Sequence, residues 1–600
     1  MIIQRLQKGK NKDDLLYIRY DGNIYEENEK IVLSKNAVID TSTYFNSCSV
    51  GKWFTYCNIE KMQLTLIYSG RITLKIEHAN FKNHEYVKEC LYISNLVSDE
   101  KETVSYAIPH DLKGVVSFSV QALTDNTVLY DSFYECDTKN ERDIVLALNI
   151  CTYKREKYLM RNLSVLQNSF LQNEDSVLHN HLKVFITDNG NTLDCKKMSD
   201  GEVFVCHNPN VGGAGGFTRG LLEIKKRKEA DGITNAIFMD DDVEIEPEGI
   251  RRTYILLKLL KEKYRDNFIS GAMLRLDEHY VQHENGALWN AGRCRFINRG
   301  LDLRYFKNVV INEIEYERDY AAWWYCCIPV NIIKEDNLPI PVFIHQDDTE
   351  YSLRNTKKLI TMNGIAIWHP VADHKRVSSN EYYNLRNMLI VNSMYCPEYG
   401  CKQLEKKIIT NLLLALLRMR YKDMNLIYKA LEDFCKGPDW LLQVDPVAYH
   451  KKIQQAGYQM LDMEEKIAGL KTSANSSYSE LDSMKKIIKD AQKSGTLGKL
   501  VMQIITLNGW LLPKKKDVYI FSMGVHPIAL YRMGRAILYD EVSKQGIEVQ
   551  RSFRQIFIFM GLVIKSVLLI RGKYEKSKST YQRQFKQLQS VEYWNRVLEI

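Results

Sequence analysis

Four short apolar runs between residues 143 and 239, separated by stretches of helical periodicity, leave few folds open to this chain. Asp143-Ile-Val-Leu-Ala-Leu-Asn-Ile150 is nearly continuous in apolar character, as in a strand covered on both faces. A helix is expected over about 157–170, then strands at Lys183-Val-Phe-Ile-Thr187 and Glu202-Val-Phe-Val-Cys206. A second helix is expected near 217–228, and Ala236-Ile-Phe-Met239 runs straight into three aspartates. Such alternation predicts an α/β domain with a parallel, Rossmann-like sheet over residues 138–390.

The flanking regions read differently. Residues 1–137 are rich in alternating Val, Thr and Tyr, and predict an N-terminal β-sandwich that braces the next domain or binds carbohydrate. Within it, 63–68 and 71–76 flank Ser69-Gly70 and predict a hairpin. Residues 391–600 predict a helical C-terminal region, with a Leu/Ile face over 406–419 and a charged helical stretch over 460–491.

Composition removes several classes. The 600 residues are 45% hydrophobic and 26% charged, so large cores are expected rather than disorder. The net charge of +8 is too mild for a nucleic-acid surface. It is also unevenly placed: residues 551–600 hold ten Lys/Arg against three Asp/Glu. Inside that stretch, 556–570 is strongly apolar, flanked by Arg551, Arg554, Arg571, Lys573, Lys576 and Lys578. A buried helix with a solvated basic tail is one reading. A segment lying on an anionic membrane surface is the other, and the charge concentration favours it. No run of about 18 uninterrupted apolar residues occurs, so no spanning helix is expected. The N-terminus lacks an apolar signal-peptide core, and the 13 cysteines form no CxxC pair, which fits reduced thiols in the cytosol.

Four local patterns carry chemistry. Asp240 and Asp242, two apart at the end of a strand, point the same way and can share one hard cation, with Asp241 between them. A solvated acidic turn would have the same sequence. Asn210-Val-Gly-Gly-Ala-Gly-Gly-Phe217 reads as a glycine loop that lets a ligand approach the backbone ahead of a helix. It fits neither a GxGxxG nor a GK[ST] pattern. Gln346-Asp347-Asp348 either caps a helix or supplies a general base, and His369 or His374 is a candidate third metal ligand. Trp323-Trp324 is either core or a platform for sugar faces.

In order, Cys151-Thr-Tyr-Lys-Arg-Glu156, NVGGAGGF, FMDDDVEI, WWYCCIP, QDDTEYSLR, IAIWHP and Tyr383-Asn-Leu-Arg-Asn387 resemble the GT-A glycosyltransferases of family 2. More narrowly, they resemble bacterial galactofuranosyltransferases that build cell-wall galactan, over most of the chain through about residue 440. The resemblance implies that Asp240, Asp242 and His369 hold Mn²⁺ or Mg²⁺ and that Asp348 is the catalytic base. It implies that Arg155 and Asn210 contact the donor, that Trp324 with Trp323 faces the acceptor, and that Asp347 orients it. Glu284 is a candidate for binding sugar hydroxyls. Two positions depart from the pattern: Gln346 stands where Trp is usual and Lys154 where Asn is common.

The expected protein is an inverting, metal-dependent transferase of galactofuranose from UDP-galactofuranose to a glycan, lipid-linked on the cytosolic leaflet, in O-antigen, capsule or cell-wall synthesis. It would be cytoplasmic and peripheral on the membrane, without nucleic acid, and could self-associate. The alternatives are transfer of rhamnose or galactopyranose, or a non-catalytic glycan-binding scaffold.

Overall fold

The apolar residues Leu64, Leu66, Tyr68, Ile72, Leu74 and Ile76 all sit at even positions and are all buried. An unbroken period of two cannot reverse direction within it, and Lys61–Lys82 is a single strand of 22 residues. The expected hairpin at Ser69-Gly70 is therefore a β-bulge instead. Gly70 takes φ +100 there, and a Cβ on it would lie 2.8 Å from Thr127 Oγ1. The true hairpin is one strand later. Asn83 and His84, with φ 51 and 67, make the left-handed pair that joins Lys61–Lys82 to Glu85–Ile108.

The computed structural model describes residues 1–9, 14–27, 29–371, 377–467, 505–540 and 543–600. On its second edge, Lys61–Lys82 bonds Thr127–Asp137 along residues 61–69 and Val115–Ala122 along 72–79. Nine strands thus join in one antiparallel sheet. Where the sequence predicts a β-sandwich, all nine strands are linked by hydrogen bonding in one sheet.

The chain divides into two units, and neither follows the expected boundaries. The first comprises Met1–Asn210, Gly215–Leu338 and Asp348–Pro370; the second comprises Val211–Ala214, Pro339–Asp347 and Val371–Ile600. No break falls near residue 137, because one apolar core runs through both the N-terminal sheet and the α/β part. Arg252 shows how they are joined. Its buried guanidinium bonds Glu248 Oε1 at 2.9 Å, Asn363 O at 2.8 Å, and Phe45 O.

The α/β part has a seven-stranded sheet in the order Val203–His207, Leu182–Asp188, Leu146–Thr152, Asn235–Asp240, Cys326–Pro329, Phe268–Ser270, Leu359–Ile360. The first four are parallel, as the alternation predicts, and Cys326–Pro329 runs against both neighbours. A second sheet contains Glu244–Ile245, Ala366–His369, Ala272–Arg275 and Val281–Glu284.

The second unit is mainly helical, including Ser378–Tyr395, Cys401–Leu417 and Tyr421–Phe434. Against the expectation of helices alone, it also holds a four-stranded sheet: Leu461–Asp462, Lys515–Ser522, Met533–Asp540 and Gln545–Gln550. Most of the charged stretch over 460–491 lies outside the described residues. Helix Arg554–Leu569 packs one side on Cys401–Leu417 and Tyr421–Phe434. Its other side leaves Phe557, Met560, Ile564 and Leu568 exposed, Phe557 by 71% and Leu568 by 67%. Together with the turns that continue it to Gln589, this helix is long and apolar enough to cross a membrane by length and composition, which the count of uninterrupted residues passed over. The basic segment after it is not a solvated tail. Tyr574 and Tyr581 are buried, and Lys578 Nζ donates to the carbonyls of Pro397 and Tyr399.

Candidate active site

The strand Asn235–Asp240 delivers its acidic end at the middle of the seven-stranded sheet. Ala366–His369 meets it from the second sheet: Glu244 pairs with Trp368, so the next step sets His369 beside Val243 and Asp242. Asp240, Asp242 and His369 each offer a ligand atom, and these lie within 4.8 Å of one another. His369 Nε2 is 3.5 Å from Asp240 Oδ2 and 3.1 Å from Asp242 Oδ1. Its Nδ1 bonds Pro370 O at 2.7 Å, which turns Nε2 toward the carboxylates. Burial works to lower the imidazole pKa, but the two aspartates together raise it to about 9. Two carboxylates and one imidazole, aimed at a common point, suit a divalent cation such as Mn²⁺ or Mg²⁺. His374, the rival ligand, lies outside the described residues.

Asp241 faces the other way, as strand alternation requires. Its Oδ2 accepts from Thr152 Oγ1 at 2.7 Å, its Oδ1 from Arg155 Nη1 at 3.0 Å, and its main-chain oxygen from Asn162 Nδ2 at 3.0 Å. Burial raises its carboxyl to about 6, against the pull of Arg155. Both carboxylate oxygens of Asp241 are therefore engaged within the protein. Arg155 Nη1 also lies 2.8 Å from Asp242 Oδ2. It ties the aspartate run to the loop after Leu146–Thr152. Thr152 and Asn162 are the supports that sequence reasoning missed, although Thr152 stood inside a quoted motif.

The two tryptophans separate. Trp323 is buried, its ring stacked on Phe238 at 4.3 Å and 6°, and edge-on to Phe217 at 5.2 Å. It is core, which corrects its assignment to the acceptor side. Trp324 is half-buried, with its ring 5.8 Å from that of His369.

Asp348 stands in the first turn of the helix Asp347–Asn355. Its Oδ1 accepts from Thr349 N at 2.6 Å and Thr349 Oγ1 at 3.1 Å. Burial lifts its carboxyl to about 6; the Thr349 bonds oppose this and the negative charge of Asp240 adds to it. Glu284 ends Val281–Glu284, fully enclosed, and its Oε2 has no hydrogen-bond partner among the described residues. Burial pushes Glu284 up to about 8, and the charge of Asp348 adds to the effect. The fold therefore brings Glu284 within electrostatic reach of Asp348.

The glycine segment is not a loop. The helix Gly212–Arg227 starts at its first glycine. A Cβ on Gly216 would meet Cys151 Sγ at 2.1 Å, so the residue is small because the helix lies directly on the strand Leu146–Thr152. Asn210 stands half-buried just ahead of it.

In the second unit, the segment leading to Asp347 is unusual. Phe343, His345 and Gln346 take φ 74, 65 and 61, three left-handed non-glycine residues in four positions. Asn387 Nδ2 donates to the carbonyls of Val342, Ile344 and His345 at 3.2, 2.7 and 2.9 Å. Arg386 Nη2 donates to Val342 O at 2.7 Å, and its Nε to Asn387 Oδ1 at 2.9 Å. These are the last two residues of Tyr383-Asn-Leu-Arg-Asn387, to which the sequence attached no role. Asp347 is buried in the same unit, near Gly213. Gln346 Nε2 lies 3.4 Å from Asn384 Oδ1.

No family model matches the chain. A galactofuranosyltransferase named GlfT2 from Mycolicibacterium smegmatis is 26% identical over 438 residues, which is 68% of this chain and 65% of that protein. GlfT2 of Mycobacterium tuberculosis is 29% identical over 254 residues, 39% of each chain. The chain thus matches less than two thirds of the length of either curated relative. A solved mannosyltransferase from Pyrobaculum calidifontis, in complex with GDP-mannose and Mn²⁺, covers 53% of this chain and 85% of its own at 11% identity and a TM-score of 0.27, a likeness too slight to bear on the fold. The ordered motifs and the two relatives agree on one point: this chain is similar to the bacterial galactofuranosyltransferases.

Proposed function

We propose that the chain is an inverting, divalent-metal-dependent glycosyltransferase of GT-A type that moves galactofuranose from UDP-galactofuranose to a glycan acceptor in cell-surface polysaccharide synthesis. The observation that carries this reading is the Asp240–Asp242–His369 cluster, where the acidic end of Asn235–Asp240 meets Ala366–His369, with Asp348 close enough to feel the charge of Asp240. Those three residues would hold Mn²⁺ or Mg²⁺, which when bound offsets the charge of a diphosphate leaving group. Arg155 fixes the aspartate run, and Arg155 and Asn210 would meet the donor. Asp348 takes the proton from the acceptor hydroxyl as the new oxygen–carbon bond forms and the bond to UDP breaks. Trp324 offers an apolar face to the acceptor, with Asp347 orienting it. Glu284, whose carboxyl burial pushes up to about 8, would donate a hydrogen bond to a sugar oxygen. Trp323 is core, so a non-catalytic scaffold built on paired tryptophans loses half of its platform.

The acceptor reading includes a lipid anchor. The exposed stripe Phe557, Met560, Ile564 and Leu568, with Arg551, Arg554, Arg571 and Lys573 around it, supports peripheral attachment to an anionic leaflet. Flotation with vesicles containing phosphatidylglycerol should recover the wild type and lose Phe557→Glu/Leu568→Glu.

The deciding experiment is UDP release with Mn²⁺, comparing UDP-galactofuranose with UDP-galactopyranose. Turnover of the furanose donor, lost in Asp348→Ala, supports both sugar and base. Activity surviving in Asp348→Ala overturns the base assignment. Turnover of the pyranose or another nucleotide sugar instead would give weight to Gln346, whose departure from the usual Trp favours a different substrate.

A further inference from the structure

The strand Glu85–Ile108 bonds only Lys61–Lys82; among the described residues its outer edge pairs with no strand. An edge of 24 residues presents a long row of main-chain groups without a strand partner among the described residues. Bulges interrupt its register between Cys90 and Tyr92 and between Ser98 and Glu102. Between them lies one regular stretch, residues 92–98, centred on Asn95. It contains no charged side chain, and it exposes Ile93 by 66% and Val97 by 58% on the outer face. Tyr92 and Leu96 turn inward against the core.

This stretch is self-complementary. We propose that it is a dimer contact, in which a second copy of this chain pairs antiparallel with residues 92–98 and Asn95 faces Asn95 of the second copy on a two-fold axis. Ile93 then lies opposite Val97 of the second copy, and Val97 opposite Ile93, giving two apolar pairs on one face. Slipping by two residues sets Ile93 against Asn95 or Asp99 instead, so the apolar pairing selects this register. The charges beyond the bulges agree with it. Glu89 and Lys88 lie six and seven residues before Asn95; Lys101 and Glu102 lie six and seven after it. The two-fold axis sets Glu89 toward Lys101 and Lys88 toward Glu102 of the other copy, while Asp99 and Glu100 face the uncharged Leu91 and Cys90. The bulges end the pairing on both sides, so the contact closes at two copies and cannot propagate as an open edge.

The test uses the full chain in sedimentation equilibrium. Wild type is expected to dimerise, and Ile93→Lys/Val97→Lys to raise the dimer dissociation constant at least tenfold. Both side chains are exposed and neither is a residue of the candidate site, so UDP release per chain should stay unchanged, which controls for folding. Register is read separately. In a Cys90→Ser background, Asn95→Cys should form a covalent dimer on mild oxidation, and Asp99→Cys should not. A wild type that stays monomeric at all concentrations overturns the proposal, as does an oligomer that the lysine pair leaves intact or a chain in which Asp99→Cys crosslinks as readily as Asn95→Cys.

Discussion

Trp323 and Trp324 are neighbours in sequence and opposites in setting: the first is stacked 4.3 Å from Phe238 in the core, the second stands 5.8 Å from His369. Truncating them should therefore separate stability from function. Trp323→Ala is expected to cost roughly 3–5 kcal/mol in denaturant unfolding, as large core truncations do. Trp324→Ala should leave the unfolding midpoint nearly unchanged and raise the acceptor KM about tenfold. Equal losses of stability in the two variants would contradict this division.

His369 links the metal to pH. Its imidazole is held up to about 9 by Asp240 and Asp242, so in the metal-free chain the imidazolium stabilises the fold. That contribution is complete below the unfolded value of about 6.5 and is lost as pH rises through about 9. A cation needs the neutral ring, so binding Mn²⁺ should expel close to one proton at pH 7.5. Calorimetric titration in buffers of different ionisation enthalpy measures that proton. Its absence would mean that His369 is not a ligand.

Glu284 gives a second pH signature. Burial and Asp348 raise its carboxyl to about 8, so the folded chain keeps a proton that the unfolded chain releases above about 4.5. Stability from this group is full below that value and falls as pH rises toward 8. Glu284→Gln should be close to neutral for stability at pH 5 and stabilising at pH 8.5, on the order of 3 kcal/mol. Thermal melts across pH read the difference directly.

The clamp on residues 342–346 predicts effects of opposite sign. Asn387→Ala strips donors from the carbonyls of Val342, Ile344 and His345 and should destabilise the protein by about 3 kcal/mol. Gln346→Gly removes a side chain from a left-handed position and should raise the melting temperature slightly. A stabilising Asn387→Ala, or a destabilising Gln346→Gly, would show that the left-handed run is not held under strain.

Much of this was legible in the sequence where one physical rule acts alone. The parallel sheet followed from apolar runs alternating with helices, and the meeting of Asp240 with Asp242 from a spacing of two. The unbroken strand through Gly70 was legible as well: the apolar residues keep even positions across it, whereas a two-residue turn would have moved them to odd ones. Gly70 serves the bulge, with its φ of +100, and not a turn. Other features depend on distant residues. The burial of Trp323 needs Phe238 and Phe217 to arrive beneath it, Gly216 is explained by Cys151 on Leu146–Thr152, and Gly212 by its left-handed φ and the closeness of Phe343 O. No local pattern announces that Asn387 will hold three carbonyls more than forty residues earlier.

The guanidinium of Arg252 has a consequence for synthesis. It closes the core only when the carbonyls of Phe45 and Asn363 are both present. The first of these leaves the ribosome some 300 residues before the second, a wait of about 15–60 s at ordinary translation rates. Through that interval the nascent N-terminal sheet exposes apolar surface that belongs against helix Pro247–Leu259 and its neighbours. Such a chain should fold late rather than piece by piece, and should lean on chaperones while it is being made.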